Sequence, residues 1–341
     1  MTDTTHTSIP DEPFSALVVD QDEQGNVAAA VTTITLDQLP AGDVTIEVAY
    51  SSINYKDALA CSSNGNIVKQ FPFVPGIDAS GVVVDSKDDR FHPGQYVVVT
   101  GYELGVTHFG GLSRFIRVPG EWVVPLPQGL SLRDAMIFGT AGITAALSVE
   151  RIEQHGIEPS AGSVLVTGAS GGVGSHAVAM LAKLGYQVTA ATGKAAAEPI
   201  LRQLGAQEIV SRESWLPERP RSLDKQRWAA AVDVCGGDIL AAALAAVKYG
   251  GCVAASGMTS GGTLPTTVYP FILRGITLYG IDSVYISQEC RMHLWARIAH
   301  QWRHIAELEQ MVHMCTLEDV PAIANEMLQG KALGRSIVKL S

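Results

Sequence analysis

The stretch Val164-Leu-Val-Thr-Gly168-Ala-Ser-Gly171-Gly172-Val-Gly174 decides the fold of this chain. It joins a short apolar run to a helical run of small residues, 175–184, and a second β-rich run, 187–191, follows. A glycine-rich turn between strand and helix lets the backbone approach a pyrophosphate, whose charge meets the N–H groups of the helix start. In this strand–turn–helix–strand context the turn predicts a dinucleotide site at Ser170, Gly171, Gly172 and Val173.

The residues after the second β-rich run indicate which dinucleotide binds. NAD enzymes carry an acidic residue about 20 positions beyond the turn, where it binds the adenosine ribose. Here the run ends in Thr192-Gly193-Lys194, and no Asp or Glu occurs before Glu198. A carboxylate would repel a 2′-phosphate, whereas Thr192 and Lys194 would donate to it, so we expect NADPH. Arg212 is a second phosphate partner or, equally, a solvated surface arginine.

Outward from this turn, the periodicity of the sequence divides the chain into two kinds of structure. Residues 15–127 alternate short β-rich runs with turn signals, which predicts a small coiled antiparallel barrel. From about residue 131, helical stretches alternate with buried strands, which predicts a parallel, doubly wound α/β sheet. The last β-rich run, 335–340, has the barrel pattern. We therefore expect one domain from residues 1–138 and 302–341, and a Rossmann domain from 139–301.

Composition narrows the possible partners of the chain. A net charge of −10 over 341 residues argues against nucleic acid and anionic membranes, because phosphate surfaces repel such a protein. There is no run of about 18 apolar residues and no secretory signal, so we expect a cytoplasmic protein without a membrane partner. The five cysteines lie far apart and form no C-x-x-C pair, so we predict neither a disulfide framework nor a structural zinc site.

Several motifs in order make the chain resemble the medium-chain dehydrogenase/reductase superfamily over nearly its whole length. Within it, the chain looks most like the zinc-independent, quinone oxidoreductase-like branch that contains the bacterial acrylyl-CoA reductases. The resemblance implies a GroES-like barrel beside the Rossmann domain. The motifs that carry it are Asn54-Tyr55-Lys56-Asp57, Pro75-Gly76-Ile77-Asp78, Gly110-Gly111-Leu112-Ser113, Gly139-Thr140-Ala141-Gly142, Thr192-Gly193-Lys194, and Leu264-Pro-Thr-Thr-Val-Tyr-Pro270 ahead of Gly280-Ile-Asp-Ser283.

The resemblance also indicates that catalytic zinc is absent. Zinc alcohol dehydrogenases of this superfamily carry a Cys ligand near the position of Asn54, and Gly-His-Glu where this chain has Gly76-Ile77-Asp78. Ile77 has no lone pair to offer a metal. His300 and His304 stand at i, i+4 spacing, but no acidic motif accompanies them and we interpret them as ordinary histidines.

Without a Lewis acid, the substrate itself must spread the charge that hydride transfer creates. Reduction of a C=C bond conjugated to a carbonyl meets this requirement. Tyr55 resembles the active-site tyrosine of the family, at the cleft between the domains; it would donate to the carbonyl oxygen or deliver the proton, or it would only shape the nicotinamide pocket. Asn54 would orient nicotinamide or substrate oxygen, or would serve as a helix cap. Lys56 and Asp57 would form a local ion pair.

Other residues are assigned by resemblance to the nicotinamide end of the groove. They are Tyr55, Met258, Ile272 and Ser283, although Ile272 is more simply a core residue and Met258 follows a strand end where ligands bind. The resemblance further suggests a homodimer that pairs edge strands near residues 276–281, because an apolar edge strand needs cover.

Three functions are compatible with these residues. The first is NADPH-dependent reduction of an α,β-unsaturated thioester, acryloyl-CoA to propanoyl-CoA, with a short-chain enoyl-CoA as partner. The second is NADPH-dependent reduction of quinones or other enones, which the fold and the missing zinc permit equally. The third is a non-catalytic NADPH-binding or redox-sensing protein. A basic mouth formed by Lys69, Arg114 or Arg117 would favour the first, but each of these residues alone is usually a solvated charge.

Overall fold

The computed structural model describes residues 12–219, 221–303 and 306–341. Their contacts divide the chain into two compact units. The antiparallel unit consists of the described residues up to Thr140 together with Val284–Ala299 and His313–Ser341. The parallel unit consists of Ala141–Ser283 and, where described, His300–Val312.

The strands and helices follow in chain order. The strands are β1 (Phe14–Gln21), β2 (Val27–Ile34), β3 (Val44–Ile53), β4 (Asp78–Ser86), β5 (Tyr96–Thr100), β6 (Phe115–Val118), β7 (Val123–Pro125), β8 (Val164–Val166), β9 (Val188–Ala191), β10 (Glu208–Val210), β11 (Trp228–Asp233), β12 (Val247–Ala255), β13 (Thr277–Gly280), β14 (Val312–Cys315) and β15 (Arg335–Lys339). The helices are α1 (Tyr55–Ala60), α2 (Leu132–Gln154), α3 (Gly172–Lys183), α4 (Glu198–Gln203), α5 (Arg212–Trp215), α6 (Gly237–Ala246), α7 (Tyr269–Arg274), α8 (Gln288–Arg297) and α9 (Val320–Leu328).

The parallel unit is built on one sheet whose strand order, within the described residues, is β10-β9-β8-β11-β12-β13. All neighbouring pairs in this sheet run parallel. The order reverses between β8 and β11, which is the topological switch point where doubly wound sheets bind ligands. Both β8 and β11 are buried along their whole length, as parallel strands covered on two faces must be. The predicted doubly wound sheet is confirmed.

The antiparallel unit contains a sheet in the order β14-β15-β3-β4-β5-β7, with β6 also paired to β3, and a separate β1–β2 hairpin. Its core is apolar and is formed by Val44, Ile46, Val48, Val97, Val99 and Ile116 among others. The C-terminal strand β15 pairs with β3 in antiparallel register, Ile337 opposite Ser52. The last β-rich run of the sequence therefore lies in the antiparallel sheet. The sequence pattern missed β2, whose alanines have low β propensity.

Helix α2 is long and apolar enough to cross a membrane by length and composition, but it is mostly buried within the protein. Its backbone is not helical at Gly139, where φ is 49° and ψ is −154°. A Cβ atom there would overlap the Asp78 carboxylate, so this left-handed position requires glycine. Helix α2 is therefore a kinked core helix.

The domain boundaries expected from the sequence, residues 1–138 with 302–341 for one domain and 139–301 for the other, remain predictions. The contacts assign Val284–Ala299 to the antiparallel unit. The physical reason is Arg291 on α8, which is buried and donates to Thr100 Oγ1 over 3.1 Å and to the Val284 carbonyl over 2.8 Å. Its guanidinium also lies 4.5 Å from the ring centre of Tyr102.

Candidate functional site

The glycine-rich segment forms a tight turn between β8 and α3. Gly168 has φ 56°, and a Cβ atom there would lie 2.5 Å from Val234 Cγ2. A Cβ atom on Gly174 would overlap the Gly168 carbonyl. Gly171 is the N-cap of α3, so a residue without a side chain stands before the first N–H groups of the helix. This backbone fits close approach of a pyrophosphate, with helix N–H groups directed at its charge.

A buried carboxylate joins this turn to the loop beyond β11. Thr167 Oγ1 donates to Asp233 Oδ1 over 2.6 Å, and the Gly236 N–H donates to Asp233 Oδ2 over 2.7 Å. Burial raises the pKa of Asp233, while these hydrogen bonds act in the opposite direction. The Ser256 N–H donates to the Asp233 carbonyl over 2.9 Å, so the loop after β12 is held as well. The three loops at the switch point thus form one hydrogen-bonded edge.

The predicted phosphate-binding residues after β9 lie at the same edge. Thr192 Oγ1 donates to Ser170 Oγ over 3.0 Å, and the Lys194 N–H donates to Thr192 Oγ1 over 3.1 Å. Ser170 and Thr192 are buried, and partial burial lowers the pKa of Lys194. The structure therefore brings Ser170, Thr192, Gly193 and Lys194 together next to the turn. Arg212 begins α5, but its side chain lies outside what the structure describes.

Three of the four residues assigned to the nicotinamide end belong to the parallel unit, and they differ in their surroundings. Met258 follows β12 and is 71% exposed. Ile272 on α7 is 72% exposed, so its interpretation as a core residue is wrong: a six-residue helix at the surface presents this side chain outward. Ser283 is buried, and its hydroxyl lies 2.7 Å from the hydroxyl of Thr144. Met258 and Ile272 are open to a ligand, whereas the Ser283 hydroxyl already has a partner.

In the antiparallel unit, a buried polar network lies behind α1. Its centre is the Asp78 carboxylate, which accepts from Ser52 Oγ over 2.6 Å, from Asn54 Nδ2 over 2.8 Å and from Thr140 Oγ1 over 2.5 Å. The Arg335 guanidinium lies 3.6 Å from Asp78 Oδ2 and donates to Asn54 Oδ1 over 3.0 Å. Both charged residues are buried, so the network neutralises them away from water.

Helix α1 is attached to this network at its first turn. Asn54 is its N-cap, and Asn54 and Asp57 form a reciprocal capping box. The Asp57 carboxylate also accepts from the N–H groups of Gly76 and Ile77, over 3.1 and 2.9 Å. The predicted ion pair between Lys56 and Asp57 is therefore wrong, because the buried carboxylate binds backbone donors. Burial raises the pKa of Asp57 to about 7, with the Asp78 charge adding to the shift. Tyr55 is left 41% exposed at the helix start.

The donor atoms around α1 do not suit a metal ion. Ile77 offers no lone pair, and both ends of the Asn54 amide are engaged by Asp78 and Arg335. The Asp78 oxygens already accept three side-chain hydrogen bonds. Across residues 12–219, 221–303 and 306–341, no three His, Cys, Asp or Glu side chains converge as a metal site. His304 lies outside the described residues.

Sequence reasoning missed the supporting residues of both polar sites. Asp78 stood in a quoted motif, yet its buried partner Arg335 gave no local sign beyond a charge at the start of an apolar run. Asp233 likewise ends a fully buried strand. The signal that would have identified Asp78, Arg335 and Asp233 is a charged residue within or beside a buried strand, because such charges are retained only when they are paired or hydrogen-bonded.

Known proteins resemble the chain over both units. Residues 40–128 match the family model of the alcohol dehydrogenase GroES-like domain, and residues 172–299 match the model of the zinc-binding dehydrogenases. The chain is 51% identical to "Putative quinone oxidoreductase YhfP" of Bacillus subtilis, over 96% of this chain and 99% of that protein. It is 47% identical to acrylyl-CoA reductase AcuI of Ruegeria pomeroyi, again over 96% and 99%.

Solved structures agree with these relatives. The YhdH oxidoreductase of Salmonella enterica, in complex with NADP, is 48% identical and superposes with a TM-score of 0.93, over 96% of this chain and 100% of that chain. Bacillus subtilis YhfP with NAD bound superposes with a TM-score of 0.92 over the same shares.

The buried ion pair is expected to stabilise the antiparallel unit. Replacing Arg335→Met leaves the buried Asp78 carboxylate without its cation, so the free energy of unfolding should fall by about 3–5 kcal/mol. Urea unfolding measures this change. The matched control is Arg90→Met, which removes an exposed ion pair with Asp88 and should cost under about 1 kcal/mol. Equal losses in the two variants would contradict the role given to the network.

Proposed function

Because the chain belongs to the medium-chain dehydrogenase/reductase superfamily and is an NADP(H)-dependent oxidoreductase, we propose that it reduces the C=C bond of an α,β-unsaturated thioester, acryloyl-CoA to propanoyl-CoA. The observation that carries this proposal is a phosphate-compatible cofactor edge combined with a polar site that has no metal ligands to offer. The acrylyl-CoA reductase of Ruegeria pomeroyi, at 47% identity, supports the choice of substrate.

The residues after β9 support NADPH as the cofactor. Lys194 offers a charged donor where a carboxylate would repel the 2′-phosphate, and Thr192, whose hydroxyl donates to Ser170, holds this segment beside the turn. The pyrophosphate would lie on the N–H groups of Gly172 and Val173. Gly193 keeps the backbone at this point unobstructed by a side chain, and Arg212 remains a proposed second partner. Met258 and Ile272 would line the nicotinamide end, and Ser283 would shape it through its backbone.

The chemistry needs a donor to the substrate and a fixed geometry around it. When bound, NADPH supplies the hydride that adds to the β-carbon of the conjugated thioester. The electron pair of the C=C bond then moves toward the thioester oxygen, and a proton must reach the α-carbon. Tyr55, exposed at the first turn of α1, is the proposed proton or hydrogen-bond donor, directly or through water. Asn54 caps α1 and thereby positions Tyr55.

A second candidate function is reduction of quinones or simple enones. The name of the Bacillus subtilis relative supports it, and the same hydride chemistry applies to a ring that accepts charge into its carbonyl oxygens. A non-catalytic role does not fit the chain, since the relatives that match 96% of it are oxidoreductases.

Turnover by the wild type and by Tyr55→Phe tests the function and the donor together. Acryloyl-CoA, crotonyl-CoA and 1,4-benzoquinone are each mixed with NADPH, and nicotinamide absorbance is followed. We expect acryloyl-CoA to give the highest kcat/KM, and Tyr55→Phe to lower kcat for it by about 100-fold while the Kd for NADPH stays unchanged.

The control for this experiment is Tyr96→Phe, which changes an exposed tyrosine on β5 and should keep full activity. A benzoquinone preference in the wild type would favour the second function. An unchanged kcat in Tyr55→Phe would remove Tyr55 from the proton route whatever the substrate.

Lys194 is expected to select the phosphorylated cofactor. A charge-assisted hydrogen bond contributes about 1.5–3 kcal/mol, so Lys194→Ala should weaken NADPH binding by roughly 10- to 150-fold and leave NADH nearly unaffected. Fluorescence titration of each cofactor gives the two Kd values. Lys183→Ala, at the opposite end of α3 from the glycine turn, is the control. Equal losses for NADPH and NADH would refute the assignment.

We also propose a cytoplasmic homodimer that pairs the edge strands β13. This strand ends the order of the parallel sheet, and the Ile281 N–H points inward to the Ala255 carbonyl over 2.9 Å. Because N–H groups alternate along a strand, the Gly280 N–H points to the open edge. The cysteines of the described chain are free thiols, as a reducing compartment would keep them.

Removing this outward donor should dissociate the dimer. Gly280→Pro is expected to shift the sedimentation mass from twice the 36.1 kDa of the chain toward the monomer, because proline cannot donate at an edge. Gly280→Ala is the control, since a Cβ atom there meets nothing within 4 Å. A wild type that sediments as a monomer, or a Gly280→Pro protein that remains dimeric, would contradict this interface.

A further inference from the structure

An exposed tyrosine of the antiparallel unit is held in one orientation by a carboxylate. Tyr285 is 65% exposed, and its hydroxyl donates to Glu103. The same carboxylate accepts from the Thr107 hydroxyl. An exposed tyrosine ordinarily rotates freely, so this anchoring restricts side-chain motion that burial does not restrict.

The backbone beneath the two residues is also fixed. The Tyr102 N–H donates to the Val284 carbonyl over 3.1 Å, and Arg291 donates to the same carbonyl over 2.8 Å. The ring of Tyr102 in turn stacks on Trp122 at 5.6 Å with an interplanar angle of 4°. The segments that carry Glu103 and Tyr285 therefore form one rigid surface.

This surface adjoins the site around α1. Glu103 and Gly111 both lie in the loop between β5 and β6. The Gly111 N–H donates to the Gly76 carbonyl over 2.7 Å, and the Gly76 N–H donates to the Asp57 carboxylate of α1. A Cβ atom on Gly105 would approach the Gly76 backbone to 2.6 Å, so the loop lies directly against it. Two hydroxyl hydrogen bonds, from Thr107 and Tyr285, lower the pKa of Glu103, and the charge of Lys56, next to Tyr55, adds to the shift.

We propose that Tyr285, oriented by Glu103, forms a substrate subsite on which a planar ring of the substrate stacks. This rests on the proposed function, whose substrates carry such a ring in two forms: the adenine of a CoA thioester or the ring of a quinone. A tyrosine held in one rotamer is a preorganised stacking surface, because little freedom remains to be lost when the ligand binds.

Steady-state kinetics of the NADPH-saturated enzyme test the subsite with three substrates. Acryloyl-CoA carries adenine, acryloyl-pantetheine carries the same thioester without it, and 1,4-benzoquinone carries a quinone ring. Tyr285→Ala should raise KM about tenfold for the substrate whose ring stacks, with kcat within twofold and KM for acryloyl-pantetheine unchanged. Tyr285→Phe, which keeps the ring and loses its anchor, should lie between Tyr285→Ala and wild type. Glu103→Ala, which removes the acceptor of the Tyr285 hydroxyl, should raise KM for the same substrate about as much as Tyr285→Phe does.

Tyr96→Ala is the control for loss of an exposed tyrosine in the same unit. A rise with acryloyl-CoA alone identifies adenine, and a rise with benzoquinone alone identifies the quinone ring. A rise for all three substrates, or for none, overturns the subsite. If the wild type reduces none of the three substrates, the proposed function fails while the subsite is still testable. Propanoyl-CoA and benzoquinone are then titrated into the wild type and into Tyr285→Ala. A tenfold higher Kd in the variant for either ligand supports the subsite, and equal Kd values overturn it.

Discussion

The antiparallel unit depends on a buried carboxylate that is fully hydrogen-bonded. Asp78 begins β4, and its oxygens bind side chains from β3, from the residue before α1 and from the kink in α2. Arg335, at the start of β15, supplies the balancing positive charge at 3.6 Å. A buried charge without partners would be very costly, so these elements can pack together only in an arrangement that satisfies both groups. Gly139 is part of the same constraint, because a side chain there would occupy the space of the carboxylate.

This network also limits which side-chain groups at α1 are available to a ligand. The polar side chains of Asn54 and Asp57, before and after Tyr55 in the sequence, are already hydrogen-bonded: the Asn54 amide binds Asp78 and Arg335, and Asp57 binds backbone N–H groups. Such a site offers a rigid helix start and an exposed phenol rather than free ligands for a metal. This arrangement is compatible with the proposed reaction, in which the substrate takes up the charge that the hydride brings.

The parallel unit has a different requirement, because a cofactor phosphate needs an open edge of its sheet. Its own carboxylate there, Asp233, is buried and bound to Thr167 and Gly236, so it ties loops together within the protein. The residues that follow β9 are Thr192, which is hydrogen-bonded to Ser170 and to the Lys194 N–H, and, two positions later, the cationic Lys194. The edge thus keeps its carboxylate bound within the protein, and the cationic Lys194 follows β9 beside the turn, an arrangement that fits the proposed binding of a dinucleotide phosphate.

The sequence by itself determined the parts of the protein that depend on local geometry. The turn at residues 168–174 and the strands and helices around it could be predicted, because glycine conformation and side-chain periodicity act over a few neighbouring positions. Only the tertiary structure decided which distant residues meet. Arg335 reaches Asn54 across 281 positions, and Tyr285 reaches Glu103 across 182, pairs that no local pattern encodes. The exposure of Ile272 and the partners of Asp57 were likewise settled by packing, since burial and hydrogen bonding depend on elements that the chain brings together only when it folds.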